Sequence, residues 1–446
     1  MVNARPRMVA FVAGLAILAT FSSEMAHATA VNGVPAAPAA GPVFAPLESA
    51  QILTAPGLKL RAAKYWTKPT LGKNVTALVI DATTSNIVLD RNSTKAMTPA
   101  STIKLITAAA AIERLGASKR FSTRVTQRGN VLTLVGGGDP TLTSGTAAHW
   151  RGKPAGVQRP ASLEELAKLT ASKLAGASGP FIVNIDKTLF AGSPLAKSWS
   201  ASFVAGGYVA PVTGLTVDFG VTKNDQPLHD PAKFAGQFFV AKLRKLGVQV
   251  TFRKFTKNPT DAIEVAHVDS ATVTDIVERM LTTSNNTMAE YLSHHVGLAA
   301  GDSTFDGSAK AVAQTLNDLG INTEGMALRD GSGLSHEDKV SARTLVDVLS
   351  SAQHSKQQLW PILSGLPIAG VSGTLAKRFS RSDVGRGYVL AKTGTLSGVV
   401  SLAGSAVDKN GDFLFFAVLA NGVSSGYDAE ATMDSLLQSI AGCGCK

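Results

Sequence analysis

Residues 98–104 read Thr98-Pro99-Ala100-Ser101-Thr102-Ile103-Lys104 and open a helix. Thr98 suits the cap, Pro99 suits the first helical position, and Gly116 stops the helix after Leu115. Ile103, Ile106, Ala110 and Leu115 give this helix an apolar, largely buried character. Ser101 and Lys104 stand three residues apart, which puts both side chains on one helix face and the amine within reach of the hydroxyl. A serine hydroxyl is a weak nucleophile and needs an adjacent base. Lysine serves as one when burial disfavours its ammonium form. The helix N-terminus adds partial positive charge where an oxyanion would form. Taken alone the pattern is weak, since about two S-x-x-K matches are expected by chance in a chain of this make-up.

Two further short motifs follow in the chain. Ser284-Asn285-Asn286 falls in a break between two helices, where side chains are free to face a cleft. Lys392-Thr393-Gly394 ends a β-strand and leads to Thr395. A glycine there lets a ligand approach the strand backbone, while lysine and threonine can hold a carboxylate. Each alone reads equally well as a capped turn or a strand end. Their order on helix, loop and strand, each present once, makes joint coincidence improbable.

Outward from these motifs, Val75–Ile80 and Ile87–Leu89 read as a strand pair around the turn at Asp81–Asn86. Residues 121–261 change texture to Gly, Ser and Pro turns, with β-prone pieces at Val131–Val135 and Phe181–Ile185 and helical stretches at Leu163–Leu174 and Pro231–Leu246. This is expected to be a smaller α+β domain inserted into the first. Helices return from Val273 through Met280, from Thr287 to Leu298, where Thr287-x-x-Glu290 reads as a capping box, and at Ala309–Leu319. Strands Tyr388–Lys392, Val399–Val407 and Phe413–Ala420 and a helix from Asp428 to Ile440 close the chain, with Asn410-Gly411 as the hairpin turn. Strands first and last with helices between point to an α+β fold, an antiparallel sheet whose terminal halves meet.

Composition sets the compartment and excludes several classes. The 446 residues are 45% hydrophobic and 17% charged, so a core forms and wholesale disorder is excluded. Net charge is +11 without a long Lys/Arg run, a balance that suits an anionic envelope polymer as well as nucleic acid and decides neither. Arg5 and Arg7, the apolar stretch Met8–Phe21 and small residues at Ala26-His27-Ala28 read as a signal peptide over 1–30. An Ala/Pro-rich linker is expected over 31–56. The mature chain is therefore expected outside the cytoplasmic membrane, secreted into the cell envelope or a periplasm-like space. Cys443 and Cys445 are a structural feature of the tail, with bonded and unbonded states both open. His294-His295 on a helix make a poor metal pair, no H-E-x-x-H occurs, and Gly136–Gly138 leads into a proline turn rather than a dinucleotide-binding helix. No cofactor and no metal are expected.

The three motifs together resemble those of a class C low-molecular-mass penicillin-binding protein, the D-alanyl-D-alanine carboxypeptidase/endopeptidase family of serine peptidases. The resemblance extends to Gly137-Gly138-Asp139-Pro140-Thr141-Leu142 and to Asp330-Gly331-Ser332-Gly333-Leu334-Ser335 followed by Val340-Ser341-Ala342, and spans roughly residues 55–440. The D-G-S-G-L-S run is its most specific part. The resemblance implies a penicillin-binding/β-lactamase-like fold: a five-stranded antiparallel sheet flanked by helices, formed by 57–120 and 262–446, with 121–261 inserted. The interval from Lys104 to Ser284 is shorter than in members with two nested inserts, so a second insert is expected to be reduced or absent.

The resemblance also implies roles. Ser101 would form the acyl-enzyme and Lys104 would take its proton. Ser284 would relay a proton to the departing D-alanine, and Asn286 would position the substrate backbone. Lys392 would supply positive potential, and Thr393 and Thr395, either side of Gly394, would bind the terminal carboxylate. The N–H groups of Ser101 and Thr395 would form the oxyanion hole. The implied partners are a peptidoglycan stem peptide as substrate and β-lactam antibiotics as covalent inhibitors, with no nucleic acid, and peripheral association with the envelope is compatible with this reading. The alternatives are a β-lactamase-like hydrolase, whose interval between the first two motifs is typically far shorter, and an inactive envelope-binding protein, which would not need the complete set.

Overall fold

The structure, a computed structural model, describes residues 55–145, 160–177, 179–354 and 358–444. The expected signal peptide and nearly all of the expected linker lie outside the described residues. The described chain begins with α1 (Ala55–Trp66), β1 (Asn74–Asp81) and β2 (Ile87–Arg91), then passes through a 3₁₀ turn at Ala100–Ile103 into α2 (Lys104–Leu115). Next come β3 (Ser122–Arg128), β4 (Val131–Val135), α3 (Leu163–Lys173), β5 (Phe181–Asp186), α4 (Ala201–Ala205), α5 (Pro231–Lys245), β6 (Val250–Phe255) and β7 (Ile263–Asp269). A helical stretch follows, with α6 (Val273–Thr283), α7 (Asn286–Ala299), α8 (Phe305–Asp318), α9 (Ala342–His354) and α10 (Pro361–Ser364). The chain then adds β8 (Val389–Leu396), β9 (Val399–Val407), β10 (Phe413–Asn421) and α11 (Gly426–Ala441).

The first sheet has the order β2-β1-β10-β9-β8 and is antiparallel throughout, so the first and last strands of the chain meet at its centre. Successive side chains of a strand face opposite ways, and here both faces are covered. Ala77, Val79, Phe416 and Val418 pack with Leu58 of α1 and Met433, Leu436 and Ile440 of α11. Leu78, Ile80, Phe415, Ala417 and Leu419 pack on the opposite face with Ile106, Ile276, Leu292 and Leu345 from the central helices. That is why β1 and β10 read as nearly continuous apolar runs rather than alternating ones. Each fully buried Phe or Leu in these layers contributes roughly 1.5–3 kcal/mol relative to an exposed one.

The second sheet, order β6-β5-β4-β3-β7, is mixed: β4, β5 and β6 run parallel, while β3 is antiparallel to both its neighbours. Parallel strands need crossovers, and α3 and α5 supply them, burying Leu163, Leu166, Phe239 and Leu243 against Leu132, Leu134, Val183 and Ile185. The expected boundary at 261 falls short of β7, whose residues pair with β3. Among the described residues no helix is long and apolar enough to cross a membrane.

Three local expectations change. Thr98 does not cap the helix: its hydroxyl donates to the His336 carbonyl, Pro99 stands at the cap position, and the first turn is 3₁₀. The Thr287–Glu290 capping box does not form, because Ser284 adopts the left-handed conformation (φ 57°, ψ 34°) and Asn285 caps α7 by accepting from Met288 N at 2.9 Å. Thr287 instead accepts from Ala210 N, at 3.0 Å. Residues 55 and 56, expected in the linker, start α1, which uses Leu58 and Ala62 to cover the sheet.

Candidate active site

The 3₁₀ turn delivers Ser101 next to β8 and leaves Lys104 as the first residue of α2, pointing inward and fully buried. Lys104 Nζ lies 2.8 Å from Ser101 Oγ, 2.7 Å from Asn286 Oδ1 and 2.5 Å from the Ser332 carbonyl oxygen. Two of these partners can only accept, while the serine hydroxyl can also donate. A neutral amine therefore gives its two protons to Asn286 and Ser332 and aims its lone pair at Ser101. Burial lowers the Lys104 pKa to about 7, working against the carboxylates of Asp330, Glu290 and Asp338, which favour the ammonium. A pKa near 7 leaves the neutral and charged amine both accessible at neutral pH.

A second pair stands beside the first. Lys392, also fully buried, donates to Ser284 Oγ at 2.8 Å and to the Thr393 carbonyl at 2.6 Å. Its pKa is held well below the ordinary lysine value by burial and then by the charge of Lys104. Ser284 can meet Lys392 because it terminates α6 in the left-handed region, which costs a non-glycine residue about 1–3 kcal/mol. Ala100, the neighbour of Ser101, is also left-handed, with φ 48°. Backbone strain thus sits at Ser284 and beside Ser101.

Gly394 sets the distance between β8 and the serine turn. A Cβ at this position would lie 2.8 Å from the Pro99 carbonyl oxygen, closer than real Cβ atoms come to such groups, and a tight 3.0 Å from Ser101 N. Only glycine lets the strand pass here. Thr393 and Thr395 share the other side of the strand: Thr393 Oγ1 lies 2.8 Å from Thr374 Oγ1, and the Thr395 hydroxyl donates to Glu430 Oε1 at 2.7 Å. Asn286 spans the site's mouth, accepting from Lys104 while its Nδ2 donates to the Tyr208 carbonyl at 2.9 Å.

The D-G-S-G-L-S run explains how a backbone carbonyl reaches Lys104. Asp330 Oδ1 accepts from Ser332 N at 3.0 Å and Gly333 N at 2.6 Å, and Oδ2 accepts from Ser335 N and Trp199 Nε1, both at 2.8 Å. The turn so formed turns the Ser332 carbonyl toward the amine. Gly333 (φ +83°) packs so tightly on the Ala100 carbonyl that no side chain fits. Glu290 beneath it accepts from Gly331 N at 3.1 Å, and burial, then the charge of Asp330, raises its pKa to about 8.

All eight residues singled out from the sequence are thus in one place or immediately flank it: Ser101 with Lys104, Ser284 with Lys392, Asn286 between Lys104 and Tyr208, and Thr393, Gly394 and Thr395 along β8. The reading missed the Ser332 carbonyl, Glu290, Asp338, Tyr208, Thr374 and Glu430. His294 and His295 are packed inside: His295 stacks on Phe121 and bonds the Gly138 carbonyl, and burial lowers their pKa values to about 4 and about 3. Among the described residues no group of acidic, histidine or cysteine side chains could hold a metal. Cys443 is buried and disulfide-bonded, while Cys445 lies outside the described residues.

A helix-flanked antiparallel sheet with a serine–lysine pair at its edge strand marks a penicillin-recognising serine enzyme. The family model for D-Ala-D-Ala carboxypeptidase 3 (S13) matches residues 58–226 and 223–441. Carboxypeptidase DacB of Mycolicibacterium smegmatis is 32% identical over 97% of this chain and 95% of its own length. A carboxypeptidase of Mycobacterium tuberculosis is also 32% identical, over 89% of this chain and 86% of its own. Penicillin-binding protein 4 of Haemophilus influenzae shares the fold, with a TM-score of 0.70 at 20% identity over 87% of this chain and 98% of that one. The chain belongs to the D-Ala-D-Ala carboxypeptidase 3 (S13) family of serine peptidases.

Proposed function

We propose that this chain removes the terminal D-alanine from peptidoglycan stem peptides through an acyl-enzyme on Ser101. The observation that carries the reading is the Lys104 amine, buried and titrating near 7, with its two acceptor-only partners satisfied and its remaining valence directed at Ser101 Oγ 2.8 Å away. Lys104 takes the Ser101 proton as Oγ attacks the carbonyl carbon of the penultimate D-alanine. The N–H groups of Ser101 and Thr395 receive the oxyanion, a contribution of about 3–4 kcal/mol per donor. The proton returns to the leaving nitrogen through Ser284, which Lys392 holds. Water then cleaves the ester by the same route in reverse.

β8 is an edge strand of the first sheet, and a peptide laid along it would bring its scissile carbonyl past Gly394 to Ser101. β-Lactams, which present a strained amide and a carboxylate, would acylate the same serine. Action on cross-links as a D,D-endopeptidase uses the same chemistry with a larger leaving group. The signal-peptide pattern of 1–30 supports a place of action outside the cytoplasmic membrane. The proposal is tested with a fluorescent penicillin and a pentapeptide ending in D-Ala-D-Ala. The wild type should take covalent label and release D-alanine, and Ser101→Ala should do neither. Equal labelling of the Ala variant, or fast penicillin turnover with no D-alanine release, rejects it.

A further inference from the structure

The two N–H groups assigned to the oxyanion sit on different elements, Ser101 on the 3₁₀ turn and Thr395 on β8. Their spacing depends on what ties the turn to the sheet. Ser401 on β9 stands opposite Gly394 in the β8–β9 register and is buried. Its Oγ donates to the Pro99 carbonyl oxygen at 2.5 Å and fills the place where a Cβ on Gly394 would fall. One hydroxyl thus touches both β8 and the turn. Thr102 Oγ1 donates to the same carbonyl at 2.7 Å and lies 3.3 Å from Ser401 Oγ, so both lone pairs of that carbonyl are used. Next in the chain is Ala100, whose left-handed φ of 48° persists only where the surroundings over-determine it. On the other side the Ala100 carbonyl packs on Gly333. That carbonyl and the Ser101 N–H share one peptide plane, so whatever fixes the turn also aims the N–H.

We propose that Ser401 is a positioning residue whose hydroxyl, acting through Pro99, holds the Ser101 N–H at the spacing from the Thr395 N–H that an oxyanion needs. The inference rests on the proposed function and adds to it the group that sets the distance between its two donors. Ser401 bonds Pro99 and adjoins Thr102, while the Lys104 amine bonds Ser101, Asn286 and Ser332. Its effect therefore falls on the oxyanion, which exists only after attack, and not on substrate binding or on the base. Removing an oxyanion donor outright costs about 10²–10³ in kcat, so displacing one by the loss of a single support should cost about tenfold. Thr102 still donates to Pro99 in Ser401→Ala, so the buried carbonyl stays paired and the variant should fold.

The test is kcat and KM for D-alanine release from a pentapeptide ending D-Ala-D-Ala, with the pH profile of acylation, in the wild type, Ser401→Ala and Thr102→Val. Ser401→Ala should lower kcat about tenfold while KM changes by less than about twofold. A peptide boronic acid, whose tetrahedral adduct places an oxygen at the oxyanion position, should bind this variant about tenfold more weakly. The midpoint of the pH profile should stay at the wild-type value, since Lys104 keeps its partners. Thr102→Val removes the other donor at nearly constant shape, and the double variant should lose more than the product of the single losses. A kcat for Ser401→Ala within about twofold of wild type overturns the inference, as does a loss confined to KM or a midpoint that moves. Should Ser401→Ala not fold, Thr102→Val must show the same split of kcat from KM, and an unchanged kcat there overturns the inference too. If the wild type releases no D-alanine and takes no penicillin label, the proposed function fails first and this inference falls with it.

Discussion

Lys104 and Lys392 are both fully buried, and each reaches a serine hydroxyl at 2.8 Å, Ser101 in the first case and Ser284 in the second. Burial pushes both amines toward neutrality, but their surroundings differ. Asp330, Glu290 and Asp338 pull Lys104 back up to about 7, whereas the second cause acting on Lys392 is the charge of Lys104, which lowers it further. The two pairs share one lysine–serine distance in two different electrostatic surroundings. In the proposed reaction the amine beside carboxylates exchanges its proton with Ser101, and the other holds the Ser284 hydroxyl in place. The acids that make the difference are Asp330 in the D-G-S-G-L-S run, Asp338 just after it and Glu290 on α7, none of them on the helix that carries Lys104.

The largest effect that could break this comparison is on the bases themselves. Lys104→Met should slow acylation by benzylpenicillin by about 10³-fold, and Lys392→Met by about 10²-fold. Stopped-flow acylation rates measure both, and a reversed order would exchange the two roles. Gly394→Ala should cost about 10²-fold in the same assay, because a Cβ 3.0 Å from Ser101 N forces β8 away from the oxyanion position. Next in size is the pH dependence. Acylation needs neutral Lys104, so the rate should fall about tenfold per pH unit below the Lys104 pKa of about 7 and level off above it. The smallest effect sharpens the account of the acids. Asp330 is the first of the carboxylates that favour the ammonium, so Asp330→Asn should move the midpoint of that profile to lower pH. A midpoint that stays or rises would contradict the role given to the loop.

The chemistry-bearing side chains were legible because each motif fixes local geometry: i, i+3 on one helix face, a polar break between helices, and a glycine at a strand end. That strands from both ends of the chain meet in one antiparallel sheet was legible from their apolar runs. What escaped lies in contacts between distant backbone and side-chain groups. The Ser332 carbonyl carries no residue signature, and neither does that of Tyr208, so nothing in the sequence announces that they bind Lys104 and Asn286. Glu290 read as half of a capping box, but the left-handed Ser284 moved the cap to Asn285 and freed Glu290 for the interior. Strands β6 and β7 went unread; they are largely exposed, and their apolar alternation runs for only three or four residues. Glu430 looked like an ordinary helix residue, and only the packing of α11 beside β8 brings it to Thr395.

Of two serines held alike by two buried lysines, the proposed reaction uses Ser101 alone as the nucleophile. Benzylpenicillin acylation followed by proteolysis and peptide mass mapping tests it most directly. A single adduct is expected on the peptide carrying Ser101, formed in Ser284→Ala as well, though more slowly. An adduct on Ser284, or an adduct that survives Ser101→Ala, would contradict it.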